Sequence, residues 1–382
     1  MSDLLEEVKH HASMPLDQAK ALPFESYTSK ELYELERMNV FHNDWVFVCA
    51  EKELPETGDY FAFTLAEEPV IVVRGKDGRL RAMSNVCRHR GTILSDPGVG
   101  NAKRFVCPYH AWTYDNEGNL SGVPFPGDVD VNKIDHCLPQ FSLCTWQGLV
   151  FLSLNSDVKP LGDRLAGIES YLQRFQNERF AHAVQSQSEH WDTNWKLAME
   201  NAMESYHLFR VHKETLETVT PTKDAFYVEG SSEWAITAGK MVGVTSKLWN
   251  WLMSDDDKMF ENYLLICIPP SFVGILTYES WDWISVLPEN AHQSLIRAAG
   301  LTISDKGESA DVTEFVSAFF AEDKEICERV QRGMHAKHTK GGQLVELERI
   351  VVDFHHYLAS RLFGIPPSDS FETAARKVFI PP

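Results

Sequence analysis

Two short strings carry chemistry that few other residue sets could supply. Cys87-Arg88-His89 and Cys107-Pro108-Tyr109-His110 place two thiolates and two imidazoles in two segments, each flanked by Gly or Pro. Two Cys and two His hold either a tetrahedral zinc or a [2Fe-2S] centre in which the Cys pair binds one iron and the His pair the other. Zinc fingers group like ligands together, whereas here each loop carries one of each kind. That mixed order suits two chemically different irons, because each loop reaches both. Imidazole in place of thiolate lowers the negative charge of the centre and raises its potential, which makes a one-electron carrier. Such a carrier does not oxidise carbon by itself, so an enzyme built on it requires a second centre.

A second candidate lies in NWKLAMENAMESYHLFRVH, Asn194 to His212. Asn194 is a plausible helix start, and Glu200, Glu204 and His207 follow at spacings of four and three, which predicts one shared helical face that also carries Met203. His212 is rotated from His207 by about 140° on an unbroken helix, so the helix is expected to loosen near Arg210 if both bind one ion. A bare pair of this spacing is more often two ordinary semi-exposed histidines. A carboxylate stands farther on, in DVTEFVSAFFAEDKEICERVQRG. There Val312, Val316, Phe319, Phe320, Ile326, Cys327 and Val330 predict an apolar stripe with Asp323 in its middle. A buried carboxylate is costly unless paired or metal-bound, so read alone Asp323 is equally a salt-bridged residue or a ligand. Two His and one carboxylate make the donor set of non-haem ferrous sites that leave positions open for dioxygen.

The elements that must position these residues divide into two kinds. From Trp45 to about Asn155, turn residues interrupt runs such as Val70–Arg74 and Leu149–Leu154, with Lys76-Asp77-Gly78 as a turn, and predict a small β domain. After Pro160 the spacing of Leu165, Ile168, Leu172 and Phe175 predicts a helix over 163–175. Strand-like runs at 263–268, 272–276, 283–286 and 294–301 then precede helical stretches at 312–332 and 345–362. The expected class is α+β: an all-β domain at 45–160, then a domain at 161–382 with an antiparallel sheet covered by helices. Residues 1–44 are expected to form a helical segment that packs on the second domain.

The 382 residues exceed what one core usually supports, and the composition is that of a globular protein. A net charge of −19 excludes a nucleic-acid binder, which needs clustered Lys and Arg. The acidic N-terminal stretch is unlike a signal peptide, and no apolar run is long enough to span a bilayer. A cytoplasmic location is expected. Seven cysteines, an odd count without secretory features, point to metal binding and not to disulfides.

The strings CRHRG (Cys87–Gly91) and CPYHAW (Cys107–Trp112) resemble the two cluster-binding boxes of Rieske proteins. Asn194-Trp195-Lys196, Glu200-Asn201, Glu204, Tyr206, His207 and His212 resemble the mononuclear-iron segment of Rieske non-haem iron oxygenases, and EDKEICERVQRG resembles their third-ligand segment. The similarity runs from about Trp45 to Gly333. It implies a catalytic α subunit with a [2Fe-2S] cluster on Cys87, His89, Cys107 and His110 and a mononuclear Fe(II) on His207, His212 and Asp323. Electrons from NAD(P)H would arrive through a partner reductase or ferredoxin. Glu204, with Asn201 beside it, falls in the catalytic machinery: the family's bridging carboxylate links the two metal-ligating histidines, here His207 and His110 across the interface of a ring-shaped trimer. Most ring-hydroxylating members carry Asp at that position. Glu is more like the carnitine and betaine monooxygenase branch, which hydroxylates or cleaves beside a quaternary nitrogen. Trp191, Trp234, Trp249, Trp251, Trp281 and Trp283 could box such a cation or line a pocket for an aromatic ring, although most are expected in the core. The short length suggests a homotrimer without a separate β subunit. The competing expectation is a Rieske-type electron-transfer protein without oxygenase activity, for which His207, His212 and Asp323 would be unrelated.

Overall fold

The computed structural model describes residues 1–175, 177–242, 262–303 and 310–366. Residues 41–161 form one compact unit, and residues 1–40 with 162–382 form the other.

The smaller unit is built of short strands. Seven of them, β1 (Val46–Ala50), β2 (Asp59–Leu65), β3 (Glu68–Arg74), β4 (Leu80–Ser84), β5 (Gly98–Asn101), β9 (Gln140–Trp146) and β10 (Leu149–Ser153), pair in the order β1-β10-β9-β4-β3-β2-β5. β6 (Phe105–Val106), β7 (Thr113–Tyr114) and β8 (Leu120–Gly122) make a separate small sheet. The β-branched run Val70–Val73 is buried throughout, as a strand covered on both faces must be. One core cluster joins the strands to the chemistry: Ala62, Ile71, Val73, Met83, Phe105 and Tyr114 pack around Cys87 and Cys107.

The larger unit is a seven-stranded sheet covered by helices, the α+β arrangement expected. Its strands β11 (His182–Trp191), β12 (Phe226–Gly230), β13 (Ala235–Lys240), β14 (Asn262–Ile268), β15 (Phe272–Leu276), β16 (Ser280–Asn290) and β17 (Gln293–Thr302) run in the order β11-β17-β16-β15-β14-β13-β12. All neighbours are antiparallel. The helix Trp195–Met203 packs on this sheet and on the long helix Ala310–Gly333, while Arg349–Phe363 packs on β12 and β13. The helix Ser2–Ala12 lies against Arg349–Phe363 and places Leu4 and Val8 beside Leu32, Leu362 and Phe363.

Two expectations about helices are corrected. The stretch 163–175 is not one helix: it breaks into Leu161–Arg164 and Glu169–Leu172, because Gly167 adopts φ +94°, a left-handed backbone that glycine tolerates and a helix does not. On the long helix the buried face is Phe320, Asp323, Cys327 and Gln331. Val330 is exposed, and Gln331 takes the inward place because its amide accepts the Asn194 N–H at 2.7 Å and donates to the Tyr27 carbonyl at 3.1 Å.

The N-terminal segment is tied to this unit by a buried charge pair. Lys196 Nζ lies 2.6 Å from Glu36 Oε1, both side chains are 1% exposed, and Trp195 Nε1 donates to Glu36 Oε2 at 2.8 Å. Removing one partner strands a charge in the core. Glu36→Ala is therefore expected to cost about 3–5 kcal/mol, whereas the double variant Glu36→Leu/Lys196→Met is expected to cost less than either single change. Thermal or urea melts of the three variants check this, and equal losses in single and double variants would contradict it.

Candidate metal centres

In the smaller unit the two Cys/His strings fold into loops with one backbone pattern. Cys87 N–H donates to the Thr92 carbonyl and Cys107 N–H to the Trp112 carbonyl, both at 2.8 Å, while Gly91 and Ala111 donate back to the Cys87 and Cys107 carbonyls, both at 3.0 Å. Each loop passes through the left-handed region at the same place, Gly91 at φ +75° and Ala111 at φ +55°. Glycine does this without strain, and Ala111 does it under the hold of the flanking pair β6 and β7. The two loops thus present their four side chains together. The His89 and His110 rings are 4.7 Å apart between centroids, and His89 stacks on Trp112. Both cysteines are buried, and buried His110 Nδ1 has no hydrogen-bond partner, as a nitrogen reserved for a metal would be.

Burial raises both thiols, which works against metal binding. At Cys107 the N–H groups of His110 and Tyr109 outweigh burial and pull the thiol below its usual value. The donor set and the loop amides fit a [2Fe-2S] cluster. Tyr114 adds a side-chain contact: its hydroxyl accepts from the Arg88 N–H at 3.0 Å and lies 3.5 Å from Cys87 Sγ. A donor aimed at a ligating sulfur favours the reduced, more negative state. Tyr114→Phe is therefore expected to lower the reduction potential, by roughly 40 mV for a contact worth about 1 kcal/mol. Protein-film voltammetry checks it, and a potential that stays or rises would refute the contact's role.

In the larger unit Asn194 caps the helix Trp195–Met203 by accepting the Lys196 N–H at 3.0 Å. The stretch has an earlier break besides the end expected near Arg210: Glu204 is extended, with φ −118° and ψ 166°, and a new turn begins at His207, runs through Leu208–Val211 and ends at His212. Glu200, Glu204 and His207 therefore do not share one helical face. Glu200 turns away and accepts the Tyr27 hydroxyl at 2.9 and 3.0 Å, with His355 Nε2 at 3.0 Å from it.

The two histidines flank the short helix Leu208–Val211 and meet at one carboxylate. Their rings lie 5.0 Å apart, and one oxygen of Asp323 faces both: Oδ1 is 2.9 Å from His212 Nε2 and 3.5 Å from His207 Nε2. His207, His212 and Asp323 are the one group of three or more His, Cys, Asp or Glu among the described residues whose ligand atoms lie within 4.8 Å of one another. Asn201 Nδ2 donates to the same Oδ1 at 2.7 Å. The opposite ring nitrogens meet two other carboxylates: His207 Nδ1 is 2.5 Å from Glu204 Oε1, and His212 Nδ1 is 2.8 Å from Glu322 Oε2. Glu204 Oε2 is not free, since it accepts the Tyr206 N–H. Burial disfavours charge throughout this site. Yet Asp323 and Glu204 drive His207 up to about 10, and the two histidines hold Asp323 down to about 2. The pocket favours positive charge between three donors, the condition a divalent cation meets.

Glu322 was missed in the sequence, and its place beside Asp323 was the available signal. As expected of most of the tryptophans, Trp191, Trp234, Trp281 and Trp283 are buried core side chains, while Trp249 and Trp251 lie outside the described residues. Among the described residues no helix is long and apolar enough to cross a membrane, and the seven cysteines form no disulfide.

Known proteins share these features. The Rieske [2Fe-2S] domain matches residues 44–141, and the catalytic domain of the ring hydroxylating alpha subunit matches residues 178–364. The glycine betaine monooxygenase oxygenase subunit of Pseudomonas aeruginosa is 33% identical over 210 residues, 54% of this chain and 48% of that protein. The anthranilate 1,2-dioxygenase large subunit of Burkholderia cepacia is 34% identical over 52% of this chain and 49% of its own. The chain thus spans about half the length of these two relatives. With the glycine betaine monooxygenase oxygenase subunit of Chromohalobacter salexigens, 28% identity extends over 91% of this chain and 88% of that one. The solved quaternary ammonium Rieske monooxygenase CntA shares the fold, with a TM-score of 0.81 at 23% identity over 92% of this chain and 98% of its own. Mixed Cys/His loops in one unit and a His/His/Asp cluster in the next, each inside its matching domain, lead to one conclusion: the chain belongs to the Rieske-type ring-hydroxylating alpha subunits.

Proposed function

We propose that the chain is the terminal oxygenase component of an electron-transfer system, taking electrons from a reductase and inserting oxygen into a small organic substrate. The observation that carries this reading is the meeting of two imidazole Nε2 atoms at one buried carboxylate oxygen, with each opposite nitrogen against a second carboxylate. An electron carrier without oxygenase activity has no use for that set. His207, His212 and Asp323 would hold a ferrous ion, and Cys87, His89, Cys107 and His110 the cluster. Iron bound in this way supplies dioxygen activation, with the balance that a C–H bond, dioxygen, two electrons and two protons become an alcohol and water.

The protein's own groups set the conditions for that chemistry. Asn201 holds the Asp323 carboxylate by its N–H, so the oxygen facing the histidines cannot swing away. Glu204 accepts the Nδ1–H of His207 and leaves Nε2 as the donor nitrogen. Its second oxygen already accepts the Tyr206 N–H and keeps a lone pair, which in a trimer would take the N–H of His110 from a neighbouring copy and complete a hydrogen-bonded electron route.

For the substrate we propose a quaternary ammonium compound. Glutamate in place of aspartate at position 204 supports this, as does the glycine betaine monooxygenase subunit that aligns over most of its length. Hydroxylation of an N-methyl group gives a carbinol that releases formaldehyde. The purified chain, supplied with a partner reductase and NADH, is expected to contain about three irons and to form formaldehyde from betaine or carnitine in step with oxygen consumed. Hydroxylation of anthranilate or salicylate in its place would move the substrate to aromatic acids. About two irons with no substrate-dependent oxygen uptake would make the chain an electron carrier.

Glu204→Gln is expected to keep all its iron and a reducible cluster while product formation falls on the order of 10- to 100-fold, with Glu204→Asp keeping part of the activity. Near-normal turnover in Glu204→Ala would end this assignment, and loss of the mononuclear iron in Glu204→Gln would make the residue a ligand.

A further inference from the structure

We infer that Glu322 is a positioning residue that fixes His212 in the tautomer and orientation a metal ion requires, a role distinct from the electron route given to Glu204. The inference rests on the reading of His207, His212 and Asp323 as a metal site.

Neighbouring residues of a helix point about 100° apart, so they rarely serve one partner. Here they clasp a single imidazole from its two sides. Asp323 Oδ1 lies 2.9 Å from His212 Nε2, and Glu322 Oε2 lies 2.8 Å from His212 Nδ1. An ionised carboxylate only accepts, so each ring nitrogen faces an acceptor, and a cation seated between Nε2 and Asp323 would take the place of a proton there while Glu322 keeps the proton on Nδ1. A third contact holds Glu322 itself: the Thr215 hydroxyl donates to the same Oε2 at 2.6 Å. Thr215 is placed by the turn after His212, where its N–H donates to the His212 carbonyl at 3.0 Å. Ligand, carboxylate and hydroxyl therefore close a ring that joins this turn to the helix Ala310–Gly333.

The surroundings favour the same function. The His212 ring is fully buried and meets the edge of Phe319, with centroids 6.2 Å apart, so no water can replace a lost partner from that side. Glu322 itself is part-buried, its side chain 32% exposed. A ring with nothing at Nδ1 is free to move its proton to Nε2 and turn its ligand nitrogen away from the ion.

The test is direct metal binding by protein depleted of the mononuclear ion, titrated anaerobically with Fe(II) or Co(II), with the Rieske absorption as an internal check on folding. Glu322→Ala is expected to bind 10- to 100-fold more weakly and to shift the visible bands of the cobalt form. Glu322→Gln should fall between Ala and wild type, since its amide oxygen still accepts Nδ1–H without the charge. Thr215→Val should weaken binding in the same direction by less. If Glu322→Ala fails to fold, the Gln and Val variants decide. Asp323→Ala separates the two levels of the argument, because wild-type metal affinity in that variant would refute the metal site itself. If Asp323→Ala loses the metal while Glu322→Ala keeps wild-type affinity and unshifted bands, the site stands and the role of Glu322 falls. A lowered melting temperature with unchanged affinity would likewise overturn it.

Discussion

One buried carboxylate sets the terms for the catalytic unit. Asp323 is 6% exposed on the inner face of a long helix, and an ion in such a place is tolerated only when its oxygens are fully met. Asn201 reaches it from one helix, and His207 and His212 reach it from the turn that follows. These contacts require Trp195–Met203 and Ala310–Gly333 to lie side by side in one register. Gln331 secures the far end of the same interface through the Asn194 backbone. The break at Glu204 separates His207 from the helix Trp195–Met203, so the turn that carries both histidines takes its own direction toward Asp323.

The cluster loops solve the opposite problem. Their charges belong to sulfur, and what meets them is backbone: N–H groups of His89 at Cys87, and of Tyr109 and His110 at Cys107. Two loops of nearly the same course, each closed by a cysteine amide on a carbonyl five residues later, give two equivalent cradles with one ligand of each kind. Chemical difference between the two halves of the site then comes from side chains alone, while the protein around them stays close to symmetric.

Sequence was most informative where a residue's type is itself the chemistry. Cys87, His89, Cys107 and His110 were legible as a set because few structural roles demand two mixed pairs, and the structure brings them together. The strands Val70–Arg74 and Phe272–Leu276 were legible because apolar β-branched runs bounded by turn residues have few other uses. Periodicity misled where a long-range contact outweighed it. Glu200 shares the spacing of Glu204 but answers to Tyr27 and His355, which lie far off in the chain. Val330 fits an apolar stripe that Gln331 displaces through two hydrogen bonds to partners no local pattern could show. Gly167 was visible inside the 163–175 repeat, yet only the backbone shows that it ends the helix. Glu322 looked like one more surface acid beside a more conspicuous aspartate.

The Lys196–Glu36 pair has a bearing on the order in which the chain takes shape. Glu36 precedes the β unit and Lys196 follows it, so residues 41–161 lie in sequence between two parts of one core. On a ribosome the β unit emerges complete and can close its own sheet, whereas the first forty residues must wait with an apolar helix face and an unpaired acid until more than a hundred further residues have been made. The segment that carries Glu36 therefore waits for Lys196, which makes it a late-joining piece of the catalytic core.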